Sequence, residues 1–491
     1  MLKSENEIEV SPEMAPENCP QVEAESTTET IGVDEAANIQ NEVLVELLSK
    51  IKKVDFHKIA KVEEGEELKS SHILIIAVEQ ILKAATDNEY GLCMNQGFIY
   101  LYNGKYWKVL QIDELKTFLG LAAQKIGVPW GNSKLHSYRD QLVKQFYATA
   151  HLPLPEIEDE FVKINLKNGT FEIGESRTIL RDFNPADFLT YQLPFDFDES
   201  GAAPLFTDYL NKVLPERELQ NILAEYLGYI FTKLKLEKTL LLYGSGANGK
   251  SVFFDIVKAL LGSENVSGFS LTSLTDNSGY YRASIANKLV NYASEISGKM
   301  QSSFFKQLVS GEPIEARLPY GRPQTIEKYA KFIFNCNELP NDVEFTNAFF
   351  RRFLIIPFEV TIPQGEQDSE LSKRIIANEL SGIFNWVLEG LGRLIEQKRF
   401  TASEIVDNVV NEYRIDSDSV KSFLKYENYV ASVDHYSTLQ DFYNEYRAYC
   451  IRDGHNPVNK KEFNKRLQNE KIPVERKREG YRIYISQRQE N

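Results

Sequence analysis

The chain has 491 residues, 42% of them hydrophobic, and carries 71 Asp and Glu against 56 Lys and Arg, a formal net charge of −15. That length suits roughly two to four domains with large cores. Cys19, Cys93, Cys336 and Cys450 share no metal-ligand spacing and no apolar run approaches a membrane span, which sets aside disulfide-framed, zinc-held and membrane-spanning classes and leads us to expect a protein of a reducing cytoplasm.

The charge is segregated. Residues 1–50 hold twelve acids against two lysines, a local balance of −10, whereas residues 451–491 hold eleven Lys and Arg against six acids, a balance of +5. An acidic tail and a basic terminal module therefore share one chain, and the global charge does not exclude a DNA-binding channel. Residues 1–38 are free of aromatics and rich in Glu, Ser, Thr and Pro, the composition of a disordered leader or an interaction tail.

From Val43 the pattern turns helical, with Val43, Leu44, Leu47, Leu48 and Ile51 on one face. A second apolar helix is expected over 72–85, and others over 112–127 and 134–149. Asn103-Gly104 and Asn168-Gly169 sit between apolar runs and predict two hairpins. Residues 39–200 thus read as an α+β domain. Asp196 and Asp198 alternate with Phe195 and Phe197; they are either a metal-binding carboxylate pair or a polar connector, and the absence of a nearby His or a basic nucleotide pocket favours the connector.

After helices expected over 205–214 and 216–232, Leu240-Leu241-Leu242-Tyr243 leads into Gly244-Ser245-Gly246-Ala247-Asn248-Gly249-Lys250-Ser251 and then an amphipathic helix. This is the strand–loop–helix of a nucleoside-triphosphate site. The glycines let backbone N–H groups curl round a phosphate at a helix N-terminus. In that geometry Lys250 reaches the β- and γ-phosphates and the Ser251 hydroxyl ligates Mg²⁺.

Four later features gain meaning from this loop. Leu289 to Ala293 forms an apolar run ending in Ser294-Glu295, and Glu295 is the candidate carboxylate for the Mg²⁺ shell and the attacking water, against the alternative of a solvated strand end. Gly321 and Pro323 separate two extended runs and predict a hairpin. Its tip would offer Tyr320 and Arg322 and its returning strand Lys328 and Lys331, either as DNA contacts or as a solvated surface. Asn337 ends a buried strand, where it could orient water or sense the γ-phosphate. Arg351 and Arg352 precede another apolar strand, and arginine supplied across a subunit boundary stabilises charge in phosphoryl transfer.

In this order the P-loop, the Ser-Glu strand end, the Lys306-to-Arg317 segment, Asn335-Cys336-Asn337-Glu338-Leu339-Pro340 and Arg351-Arg352-Phe353 resemble the superfamily 3 helicases. The branch is that of the phage and plasmid primase-helicases, to which poxvirus primase-helicase is related. The resemblance covers residues 160–490 and is specific over 240–358. It implies an AAA+-like P-loop ATPase core at 201–400 with helical flanks, binding ATP and Mg²⁺ and assembling as a ring, usually a hexamer. Glu295 would be the catalytic carboxylate, Asn337 the polar sensor, and Arg352 with Arg351 the finger reaching a neighbour's ATP. The hairpin would grip single-stranded DNA during 3′ to 5′ translocation. Two departures stand out: Ser294 replaces the first of two adjacent acids, and no primase domain is evident, which leaves a separate primase or polymerase as a partner.

Residues 418–491 read as helices over 419–431, 438–453 and 459–470 followed by a hairpin, resembling the winged-helix domain of such proteins. Lys460, Lys461, Lys465 and Arg466 would line a recognition helix, with Arg476, Lys477, Arg478 and Arg482 on the wing. A helicase of a phage, plasmid or other mobile element is the leading expectation. An initiator that melts origin duplex DNA and a P-loop kinase or ATPase that never meets DNA are the rivals.

Overall fold

The computed structural model describes residues 41–63, 66–152, 161–175, 177–294, 296, 300–317, 323–340, 344–478 and 480–488. The expected leader at 1–38 lies outside them. The described residues divide into two compact units, one reaching to Ala84 and including Gln111–Phe146, the other formed by Ala85–Leu110 and the chain from Tyr147 onward. Among the described residues, no helix is long and apolar enough to cross a membrane.

In the first unit the helix Glu42–Lys50 buries Leu44, Leu47 and Leu48, and Ile112–Ile126 buries Leu115, Phe118, Leu119 and Ala122. Both sets follow helical spacing, so each helix turns one apolar stripe inward. Polar ties fix their ends. The Asn41 side chain accepts from the Val43 amide at 3.1 Å, and Lys125 Nζ donates to the Leu48 carbonyl at 3.0 Å.

The second unit opens with two small antiparallel sheets. The first consists of β1 (Gly91–Asn95), β2 (Phe98–Tyr102) and β3 (Trp107–Leu110), the second of β4 (Val162–Leu166), β5 (Gly169–Ile173) and β6 (Thr178–Arg181). Both expected hairpins are there, joining β2 to β3 and β4 to β5, although the second turns at Lys167-Asn168, with Gly169, already in β5, paired to Leu166. Asp196 and Asp198 lie in a connector: Asp198 Oδ1 accepts from the Ser200 amide, while Phe195 and Phe197 pack on Phe384.

A five-stranded parallel sheet follows, built from β7 (Thr239–Tyr243), β8 (Val266–Ser267), β9 (Val290–Ala293), β12 (Lys331–Cys336) and β13 (Phe353–Pro357) in the order β13-β7-β12-β9-β8. Its strands are mostly apolar because both faces are covered. Alternation then sorts the side chains. Leu240, Leu242, Ile333, Leu354 and Ile356 join the core beneath the helices Arg217–Tyr229, Lys250–Leu261 and Leu380–Gln397. Leu241, Phe332, Phe334, Phe353 and Ile355 join a second core with the helix Ser302–Ser310. The chain is thus mixed α/β around a parallel sheet.

Between β9 and β12, β10 (Ile314–Arg317) and β11 (Pro323–Ile326) pair as the expected antiparallel hairpin. The returning strand stops at Ile326, however, and the chain turns before β12. Lys328 and Lys331 therefore lie off the hairpin, a correction to the sequence expectation.

The last segment packs the helices Ser419–Tyr426, Leu439–Arg452 and Lys460–Asn469 against a sheet of β14 (Tyr429–Thr438), β15 (Val474–Lys477) and β16 (Gly480–Gln487), ordered β14-β16-β15. The β15–β16 hairpin was expected and β14 was not. The first helix ends at Tyr426 rather than 431, and the chain re-enters as a mostly exposed strand with a bulge between Ala431 and Tyr436.

Candidate functional site

The P-loop leaves the carboxyl end of β7 and enters the helix Lys250–Leu261, the place where open α/β sheets bind ligands. Gly246, Ala247 and Gly249 all have positive φ, at 110°, 50° and 90°. Such a run turns successive backbone N–H groups toward one concavity. Two glycines are also held by space. A Cβ at Gly244 would stand 2.4 Å from the Phe358 carbonyl oxygen, and one at Gly249 would stand 2.8 Å from Val213 Cγ1.

The loop is tied from several sides. Asn248 Nδ2 donates to the Phe358 carbonyl at 3.0 Å, the Ile362 amide to the Ala247 carbonyl at 2.7 Å, and the Tyr209 hydroxyl to the Gly249 carbonyl at 2.9 Å. Lys250 is buried and donates to the Gly244 carbonyl at 2.6 Å and to Asn248 Oδ1 at 3.1 Å. Burial pulls its pKa down, and the nearby Cys336 offsets part of that. Ser245, Ala247 and Ser251 remain exposed, so Ser251 presents a free-facing hydroxyl in the first helical turn.

Asn337 is exposed and follows β12 directly. Cys336 pairs with Tyr243, and the Gly244 amide donates to the Cys336 carbonyl at 3.1 Å, so Asn337 stands beside the loop entrance. Beneath it the Tyr292 hydroxyl donates to buried Asn335 Oδ1 at 2.9 Å, tying β9 to β12. This tie was not foreseen. Glu295 lies outside the described residues, and Ser294, exposed at the end of β9, is its last described neighbour on that side. No group of three or more His, Cys, Asp or Glu suited to a metal occurs among the described residues. A lone hydroxyl with one carboxylate suits a Mg²⁺ that keeps several waters and binds substrate phosphates, not an all-protein cage.

The arginine pair sits elsewhere. Arg352 immediately precedes β13 and its carbonyl accepts from the Thr239 amide at 2.8 Å, which places both arginines at the amino edge of the sheet. The P-loop leaves the opposite edge, about 16 Å away along the five residues of β7. Arg352 is buried, donating to Ser310 Oγ at 2.9 Å and to the Ala348 carbonyl, whereas Arg351 is exposed. Both contact Glu237, at 3.3 Å from Arg352 and 2.5 Å from Arg351. Nothing in the sequence marks Glu237; only the fold brings it to the pair.

Tyr320 and Arg322 lie outside the described residues. Lys328 is exposed. Lys331 faces inward, because it shares a side of β12 with Ile333 and Asn335 and meets the helix Arg217–Tyr229. Its Nζ donates to the Tyr229 hydroxyl at 3.0 Å and the Leu234 carbonyl at 3.2 Å, and lies 4.1 Å from the Tyr229 ring centroid. Lys331 is therefore a half-buried cation held by internal partners. Burial, with Lys235 nearby, pulls its pKa down to about 8, against about 10.4 for an unfolded lysine. Between those values the unfolded chain binds more protons, so this group's contribution to stability rises with pH across the window, by at most about 3 kcal/mol. Urea melts of Lys331→Met and the parent protein at pH 7 to 10 should show the parent gaining stability with pH relative to the variant. A pH-independent difference would contradict this.

In the last module Lys460, Lys461 and Lys465 are exposed, as are Arg476, Lys477 and Arg478. Lys477 pairs with Glu475, and Arg482 lies over the Tyr436 ring at 4.4 Å. Arg466 departs from the expected set: it pairs with Asp418 at 3.0 Å and Glu462 at 3.2 Å and covers Phe345, so it holds the module together.

Comparison with known proteins joins this geometry to a lineage. Residues 79–215 match the family described as D5 N terminal like, and residues 242–352 match a family of unknown function, DUF5906. "Putative helicase L207/L206" of Acanthamoeba polyphaga mimivirus is 24% identical over 237 residues, 45% of this chain and 24% of that protein. "Putative helicase 121R" of Invertebrate iridescent virus 3 is 21% identical over 362 residues, 64% of this chain and 38% of that protein. The chain is thus similar to viral proteins named as helicases and, over its middle, to the D5 N terminal like family. It spans well under half the length of these two viral relatives. Among solved structures, the apo NrS-1 C terminal region covers 82% of this chain and 98% of its own at 14% identity, with a TM-score of 0.44.

Proposed function

We propose that this chain is an ATP-driven replicative DNA helicase of a phage, virus, plasmid or other mobile element, with an AAA+-like core that works as a ring. The observation that carries the reading is the separation of the P-loop and the arginine pair at opposite edges of one sheet. Arginines that far from their own phosphate site can serve hydrolysis only at a neighbour's, and a head-to-tail contact of that kind makes a ring where its rotation closes. The helicase names of the viral relatives support the same reading.

In this scheme the Gly246–Gly249 concavity and the helix N-terminus bind the ATP phosphates. Lys250 exchanges its bonds to Gly244 and Asn248 for the β- and γ-phosphate oxygens. Ser251 and Glu295 hold Mg²⁺, which supplies charge neutralisation, while Asn337 orients the water or reads the γ-phosphate. The β10–β11 hairpin, through Tyr320 and Arg322, carries the motion to single-stranded DNA. The final three helices and the β14–β16–β15 sheet form a winged helix that holds DNA through Lys461, Lys465 and Arg476. Strand displacement on duplexes with a 3′ or a 5′ tail, with ring size measured alongside, tests this. Unwinding of the 3′-tailed duplex by a hexamer is expected; ATP turnover by a monomer indifferent to DNA would overturn it.

A further inference from the structure

One stretch of chain, from Asn337 to Arg352, carries both the polar side chain beside the P-loop entrance and the arginine pair. Two side chains from late in the sequence hold it. The hydroxyl of Tyr413, a buried residue on the helix Glu404–Asp416, donates to the Pro340 carbonyl at 2.8 Å. Its ring meets Phe350 and Phe353 edge to face at 5.3 and 5.9 Å. Further on, the Arg466 guanidinium lies 4.3 Å from the ring centroid of half-buried Phe345. The neighbours of Phe345 lead straight to the arginines. Lys306 Nζ donates to Glu344 Oε2 at 2.9 Å, and one turn later on its helix Ser310 Oγ accepts from Arg352 at 2.9 Å. The Thr346 side chain accepts from the Phe349 amide at 3.3 Å and so caps the helical turn that ends at Arg351.

Arg466 spans a boundary. Its carboxylate partners, Asp418 at 3.0 Å and Glu462 at 3.2 Å, belong to the terminal module, whereas the ring it covers belongs to the segment before β13. The joint beside it is tight, because Ser417 and Asp418 are all that separates the helix of Tyr413 from the helix Ser419–Tyr426. The Ser417 amide donates to the Tyr413 carbonyl at 3.0 Å, and the Ser422 hydroxyl to the Ile415 carbonyl at 2.8 Å. The helix Lys460–Asn469 therefore serves two sides. Lys461 and Lys465 face solvent, and Arg466, about 100° further round the helix, lies on Phe345. A ligand that draws on those lysines acts on the same rigid element that grips the ring, and packed contacts of this kind carry coupling between sites.

We propose that Arg466 is a positioning residue for ATP hydrolysis: laid on Phe345, it lets DNA held by the terminal module set the placement of Asn337 and the arginine pair. This rests on the reading above that the chain hydrolyses ATP and that its terminal module holds DNA. The test uses the full chain with ATP and a saturating random-sequence duplex. Duplex should raise the parent's kcat. Phe345→Leu should lower that stimulated kcat roughly fivefold, the size one cation–ring contact can transmit, and leave kcat without DNA near the parent's. KM for ATP should stay within about twofold, since the P-loop is untouched. Phe345→Tyr keeps the ring and should keep the parent's response. Arg466→Met should lower stimulated kcat to the same extent as Phe345→Leu, and the double variant should fall no further than either alone. Arg466→Met also strips Asp418 of a partner, so if that variant melts early the two Phe345 variants decide.

Phe345→Leu with the parent's stimulated kcat overturns the coupling, and so does an equal fall with and without DNA, which marks a general defect. Losses that add in the double variant overturn the assignment to this contact. A parent that binds the duplex and hydrolyses ATP, yet turns over at one rate with or without DNA, overturns this inference alone. If the parent hydrolyses no ATP or binds no DNA, the helicase reading falls together with this one.

Discussion

Replacing Lys250 by alanine is expected to lower ATP hydrolysis by roughly 10²–10³-fold, the scale for removing one preorganised donor from developing charge. The side chain is buried at the base of the loop and already committed to the Gly244 carbonyl and Asn248 Oδ1. ATP must therefore win the ammonium from two internal acceptors, and Asn248, itself anchored to the Phe358 carbonyl, is the residue that must yield. The same bonds give the substitution a structural cost. Two buried acceptors lose their donor, at about 1–3 kcal/mol each where nothing replaces it. Hydrolysis and thermal melting should be measured together: a modest fall in melting temperature with near-complete loss of turnover is the expected pair. Turnover within tenfold of the parent would remove Lys250 from the reaction.

The parts of this site that were legible in the sequence are those set by local chemistry. Leu240 to Ser251 announces a buried strand, a glycine turn and a helix through residue types alone, and the structure has β7, the loop and the Lys250–Leu261 helix in that order. Asn103-Gly104 fixes a hairpin for the same reason: its side chain accepts from the amides of Lys105 and Tyr106. What was illegible depends on partners far along the chain. Lys331 carries a charge that reads as surface, yet the side of β12 it occupies points it at Tyr229, 102 residues earlier. Arg466 looks like its neighbour Lys465 until the helix phase turns it toward Asp418. β14 escaped notice because most of its residues are exposed, which leaves no alternation to read. The parallel pairing of β13 with β7 decides which edge carries the arginines, and no local pattern encodes a non-local pairing.

Substituting both Arg351 and Arg352 by alanine should leave ATP binding nearly intact and reduce turnover by roughly 10³–10⁵-fold, the range attributed to an arginine supplied to a phosphoryl-transfer site. Loss of turnover alone would not prove a shared site, since Arg352 also bonds Ser310 and Ala348 in the core. Arg351→Ala, at an exposed position, checks that the effect is not a folding defect. The decisive version mixes subunits. Lys250→Ala chains keep their arginines and lose the P-loop lysine, whereas the double-arginine chains keep the P-loop and lose the finger. Each preparation alone should be inactive. In a random ring of the two, on the order of a quarter of the interfaces join an intact P-loop to an intact arginine pair, so the equal mixture should recover turnover, increasingly at concentrations where rings form. A site completed within one chain predicts no recovery at any ratio, and the strand geometry argues against it: Glu237 holds the pair at the amino edge of β7, a full strand length from the loop that β7 delivers.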